Sequence, residues 1–169
     1  MLNISPNYKA QDFAGTIMPM TEEKPKNIIT LKTRFGVMEI DRERTIKMPQ
    51  GMVGFSEFRE FGLSIPNHPV LEGFMLLQCI DEPDLTFILK PYELSSGIIS
   101  DEDLANAIKQ LAIPPESLAI MLVTTLRHQQ SGLTKTVNIR APLFLDTVKQ
   151  LGWQHILNSE DYNVRHAIN

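Results

Sequence analysis

The chain has 169 residues, 43% of them hydrophobic, with 16 Lys and Arg against 20 Asp and Glu for a formal charge of −4. That length suits a single domain, since a chain near 150 residues buries roughly two-thirds of its unfolded surface, and an acidic chain whose basic residues form no run is a poor fit to a phosphate-binding role. One cysteine excludes an internal disulfide and agrees with a reducing compartment, and no apolar run approaches the roughly 20 residues of a membrane helix.

Residues 1–27 are punctuated by Asn3, Ser5, Pro6, Asn7, Gly15, Pro19 and Pro25, which interrupt every apolar pattern. They are expected to form a flexible N-terminal arm ahead of a domain at 28–169, with Met18 and Met20 as a conceivable short docking motif. Lys9, Lys24 and Lys26 balance Asp12, Glu22 and Glu23, so the excess of −4 belongs wholly to residues 28–169. No basic region followed by an apolar stretch opens the chain, so no secretory signal is expected and the cytoplasm is the expected location.

From Ile28 the apolar period becomes that of strands. Ile29 and Leu31 alternate with Thr30 and Lys32, Gly36 allows a bend, and Val37 to Ile40 resumes the pattern. Further runs at 45–48, 61–65, 74–80, 85–90, 118–125, 136–140, 143–147 and 153–157 bring the count to ten. Many short strands separated by turn signals argue for a mostly β, antiparallel, barrel-like domain. Gly51-Met52-Val53-Gly54 reads as a turn, because the loop of this pattern that clamps nucleic acid needs flanking helices and basic residues. The spacing of Phe55, Phe58 and Phe61 would put the three rings on one face of a weak helical turn at 56–61.

Residues 76–89 are two apolar runs joined by Asp81-Glu82-Pro83-Asp84, a hairpin with an acidic tip. A solvated turn explains these acids most simply, and six or more oxygen ligands for a hard cation are not on offer there. Asp81, Glu82 and Asp84 are nevertheless the candidate partner-binding residues, as three carboxylates on an exposed turn of an anion-rich domain. Cys79 lies inside the first run and is expected to be a small core residue. One α-helix is expected at about 101–111: Ser100 can cap it, Asp101, Glu102 and Asp103 suit the positive end of the helix dipole, Leu104, Ile108 and Leu111 share a face, and Pro114-Pro115 stop it.

The usual anchors of catalysis are missing. His68, His128, His155 and His166 are far apart, no metal-ligand spacing occurs, and no nucleophile elbow or phosphate-binding glycine loop is present. A hydrolase would require histidines and carboxylates that converge only in the folded chain.

Several blocks fall in a familiar order: Phe35-Gly36 with Glu39-Ile40, Met48 through Phe55, Leu77-Gln78 through Phe87, Asn138-Ile139-Arg140-Ala141-Pro142, and Tyr162-Asn163-Val164-Arg165-His166. Together they make residues 28–168 resemble the FliW family of flagellar assembly factors. The resemblance implies a small cytoplasmic β protein without enzymatic activity or cofactor, monomeric alone and without direct contact to nucleic acid or membrane. It also implies two partners: the translational repressor CsrA, whose capture frees flagellin messenger RNA for translation, and flagellin, bound in a chaperone-like way. The chain departs from the family pattern in its long leader, in Cys79 where a small residue such as Ser is common, and in Val148 to Gly152, which lacks a basic turn.

Overall fold

A computed structural model describes residues 27–130 and 132–168. The expected arm, apart from Asn27, lies outside the described residues. Asn27 itself is tied in, since its carbonyl accepts a 2.9 Å hydrogen bond from the Arg42 amide.

Among the described residues there are eleven strands and one α-helix. β1 (Ile28–Thr33) and β2 (Gly36–Asp41) form a separate hairpin turned at Arg34-Phe35, with Gly36 at φ 101°, a conformation that favours glycine. β3 (Ile46–Lys47), β4 (Glu60–Ser64), β5 (Met75–Cys79), β6 (Thr86–Pro91) and the long β7 (Leu118–Gln129) continue the chain, with α1 (Asp101–Leu111) between the last two. β8 (Gly132–Val137), β9 (Leu143–Asp146), β10 (Leu151–Gln154) and β11 (His166–Ile168) complete it. Because β9 pairs with both β10 and β7, strands β7-β6-β5-β4-β3-β10-β9 close into a circuit, while β8 and β11 continue as a flap from the far half of β7. The domain is therefore mostly β and barrel-like with one helix, as expected. One pairing is parallel, Leu151 opposite Lys47, because β10 reaches β3 from across the barrel rather than through a hairpin.

The apolar runs are nearly continuous because the central strands are buried on both faces. Met75, Leu77 and Cys79 of β5 point into the barrel with Phe61, Met121, Leu143 and Leu145, while Leu76 and Ile80 point outward beneath the β1–β2 hairpin. On β7 the inward residues are Ala119 and Met121, and Leu118, Ile120 and Leu122 lie under α1 with its Leu104, Ala107 and Ile108. Burial of the Cys79 side chain pushes its thiol pKa up, against the backbone hydrogen bonds of Glu82 and Asp81, which pull it down, so the thiol is an inert core group.

Three local expectations change. The run at 136–140 is not a strand to its end: β8 stops at Val137, and Asn138 Oδ1 accepts hydrogen bonds from the amides of Arg140 and Ala141, both 3.0 Å, making a corner. That corner lets β8 leave with the flap while β9 joins the barrel, and the Ile139 amide fastens it to the Asn163 carbonyl at 3.1 Å. The run at 153–157 shifts to β10 at 151–154, and its remainder pairs through backbone bonds from His155 and Leu157 to Pro142 and Arg140. Residues 55–59 make turns rather than a helix, so the three phenylalanines do not share a helical face: Phe61 is buried in β4, Phe58 packs against the barrel core, and Phe55 stands edge-on to Phe87 at 5.6 Å.

Candidate partner-binding surface

The acidic tip is a built structure. Pro83 and Asp84 occupy the centre of a turn closed by the Leu85 amide on the Glu82 carbonyl at 3.0 Å, which uses the fixed φ of proline. Asp81 and Asp84 are exposed, whereas Glu82 is half-buried and its Oε1 accepts from the Asp84 amide at 3.2 Å. The two aspartates are thus the free charges of the tip, and Glu82 partly serves the turn.

Gln78 holds this tip from beneath. Its fully buried amide nitrogen lies 2.9–3.2 Å from the carbonyls of Cys79, Glu82, Pro83 and Leu85, and its amide oxygen accepts from the Thr86 hydroxyl. Arg34, from the turn of the first hairpin, adds a 3.1 Å bond to the Thr86 carbonyl and so sets a cation near the base of the acidic tip. Sequence reading missed both residues. A glutamine inside an otherwise apolar run was the available signal for Gln78.

Other surface features are distributed around the domain. An apolar groove of ≈ 630 Å³ lies between the first hairpin and residues 64–71, lined by Phe35, Val37, Ile65 and Val70 among others. Lys90 and Lys135 approach the same Phe74 ring at 5.6 and 5.5 Å, so the fold brings two basic residues that are separate in sequence to one ring.

The histidines do not assemble a reaction centre. His68 Nδ1 accepts the Val70 amide at a short helical turn, His155 packs edge-on to Phe144, and His128 and His166 lie in strands β7 and β11. Among the described residues none of the four is hydrogen-bonded or ion-paired to a carboxylate, and no group of three or more His, Cys, Asp or Glu side chains is placed to hold a metal.

The C-terminal segment is clamped to the start of α1. Ser100 Oγ accepts from the Asp103 amide at 3.1 Å and donates to Asp103 Oδ2 at 2.7 Å, while the Tyr162 hydroxyl also donates to Asp103 Oδ2 and accepts from the Ser100 amide. The Tyr162 and Ser100 hydroxyls stabilise the charged carboxylate and hold its pKa below the ordinary value. With a folded-state pKa below the unfolded one, this contribution to stability is present above about pH 4 and is lost as pH falls through the lower folded value. Tyr162→Phe is expected to cost about 1 kcal/mol in urea melts at pH 7, and less at pH 3. An equal loss at both values would separate Tyr162 from Asp103.

A family model described as FliW protein matches residues 29–168 of this chain. Curated flagellar assembly factors FliW are similar over the same part: one from Oceanobacillus iheyensis is 31% identical over 136 residues, covering 79% of this chain and 88% of the relative. Another, from Geotalea uraniireducens, is 33% identical over 135 residues, covering 79% and 80%. The fold is similar to a crystal structure of the flagellar assembly factor FliW at TM-score 0.65 and 28% identity, covering 83% of this chain and 96% of that one.

Proposed function

This chain belongs to the FliW family of flagellar assembly factors, and we propose that it works by binding the translational repressor CsrA and flagellin in the cytoplasm, without catalysing a reaction. The observation that carries this reading is the extent of the family match, which runs from the first hairpin through the barrel and α1 to β11. The blocks behind the resemblance have structural positions within it. Met48 through Phe55 lie in the turns between β3 and β4, Leu77 through Phe87 form the acidic hairpin, Asn138 to Pro142 the corner, and Tyr162 to His166 the clamp and the start of β11.

Capture of CsrA would relieve repression of flagellin messenger RNA. Flagellin, bound in a chaperone-like way, would draw the factor off CsrA when it accumulates. We assign Asp81, Glu82 and Asp84 to steering a basic partner surface, either by covering the RNA-binding face directly or by lowering RNA affinity through linkage.

Charge reversal tests the assignment. Asp81→Lys with Asp84→Lys spares the Glu82 bond within the turn, and adding Glu82→Lys completes the reversal. The association rate with CsrA is expected to fall about tenfold at low salt and to lose most of its salt dependence, because exposed charges act over about 8 Å at physiological ionic strength. Thermal melts of the double variant should stay within about 0.5 kcal/mol of the parent. Unchanged association with both CsrA and flagellin, with the fold intact, would move the interface away from this tip.

A further inference from the structure

The register of the first hairpin fixes where the backbone groups of β2 point. The Arg42 amide donates to the Asn27 carbonyl at 2.9 Å, so these two residues are a hydrogen-bonded pair. In an antiparallel ladder every second pair bonds in this way, which makes Ile29 with Ile40, Leu31 with Met38 and Thr33 with Gly36 the other bonded pairs. The N–H and C=O groups of Val37 and Glu39 therefore face away from β1. Among the described residues they have no strand or other backbone partner.

The apolar groove runs along this open edge. The hairpin lines it with Arg34 of the turn and with Val37, Met38 and Glu39 of β2 rather than with β1. β2 meets the barrel where the Ile40 side chain fills the space over Gly62, a Cβ there lying 2.5 Å from it, and where Met38 Sδ lies 3.9 Å from Ser64 Oγ. Beyond that contact Ile65 and Val70 form the facing wall, and with Val37 they stand 54%, 42% and 66% exposed over the buried Leu71 and Leu76. Large exposed side chains gathered in this way mark a surface that something covers.

An open row of backbone donors and acceptors beside an apolar floor selects among ligands. A helix has already used its backbone bonds, and nucleic acid brings no apolar side chains to the floor. An extended peptide satisfies both features, its main chain pairing with the edge and alternate side chains reaching down. Arg34 at the turn and Glu39 two residues beyond Val37 set its charges, an acid toward the turn and a base opposite Glu39.

We propose that the groove is a seat for an extended segment of a partner protein, which adds to β2 as an antiparallel strand bonded at Val37 and Glu39. Its residues opposite Met38 and Ile40 are apolar and face the floor. The residue opposite Glu39 is basic, and an acid follows toward Arg34.

The probe is the acetylated, amidated heptapeptide Thr-Val-Lys-Val-Thr-Val-Glu, with its Lys opposite Glu39 and its second Thr opposite Val37. Titrated at millimolar concentration into the nitrogen-15 full chain, it is expected to give saturable shifts at Val37 and Glu39. Amide exchange there should slow by about tenfold or more, with no change at Met38 and Ile40, whose N–H groups already bond to β1. N-methylation of the Lys and the second Thr, whose N–H groups face the edge, should weaken binding by about tenfold or more. The same modification of the second and third Val should change it little. Absence of saturable shifts, shifts at Val37 and Glu39 without slower exchange, or equal weakening by the two methylation patterns would each overturn the proposal. Slow exchange at Val37 and Glu39 that grows with chain concentration in the absence of peptide would also overturn it, by making a second copy the occupant.

Discussion

Gly51→Ala is expected to destabilise the domain by about 3 kcal/mol, which lowers the melting temperature by roughly 10 °C in a chain of this size. Two independent costs combine at this position. Gly51 has φ 67°, where a side chain is strained, and a Cβ there would lie 2.7 Å from the Phe55 carbonyl oxygen, 2.8 Å from Ser56 Cα and 2.9 Å from the Phe58 carbonyl oxygen. All three contacts are backbone, so no side-chain rotation relieves them. Gly54→Ala is the matched control: it has φ 83° but meets nothing within 4 Å, so it should cost about 1 kcal/mol from backbone conformation alone. Urea melts of the two variants check the difference. Equal losses would mean that the 55–58 loop moves aside and that close approach contributes nothing.

Gln78→Leu should be comparably severe, at about 3 kcal/mol, although it conserves volume inside a well-packed hairpin. The side chain is fully buried and is the shared donor to the carbonyls of the acidic tip and the acceptor for the Thr86 hydroxyl. Leucine leaves the Glu82 and Leu85 carbonyls with their backbone partners, the amides of Leu85 and Cys79, but removes the bonds to the Pro83 carbonyl and the Thr86 hydroxyl, at roughly 1–3 kcal/mol for each group that finds no substitute. Gln78→Glu provides a sharper version. It turns an acceptor toward the carbonyl oxygens, so its carboxylate pKa is raised in the folded state, and the penalty at pH 7 should shrink as pH falls and the group protonates. Faster amide exchange at residues 80–85 in either variant would show that the glutamine sets the order of the tip. A Gln78→Leu variant with parental stability would show that water takes over its bonds.

Local signals were the legible ones. α1 was readable from Ser100, the acids of its first turn and the two prolines after it, because capping and chain breaking act within a few residues. Two-sided burial made β5, β6, β7 and β9 visible as apolar runs. β11 was not visible, since three half-exposed residues become a strand only by pairing with Lys135 to Val137 of β8. The corner at Asn138 looked like strand because its neighbours are apolar, and the bonds that bend it are specific to the folded chain. Barrel closure depends on β7 meeting β9, which no local pattern announces.

The site divides in the same way. Charge placed Asp81, Glu82 and Asp84 on a turn, and the structure keeps two of them free. The strut beneath them and the groove beside the first hairpin are assembled from segments far apart in sequence, as in the bond from Arg34 to Thr86. Composition and spacing carry no record of such contacts.

The direct measurement of the central claim is release of RNA. CsrA is bound to a fluorescent flagellin leader RNA, and the purified chain is titrated into the complex while anisotropy is followed. Anisotropy falling to the free-RNA value near one chain per CsrA site, with recovery of the complex when flagellin is added, is the predicted result. RNA that stays bound in the presence of excess folded chain would contradict the account.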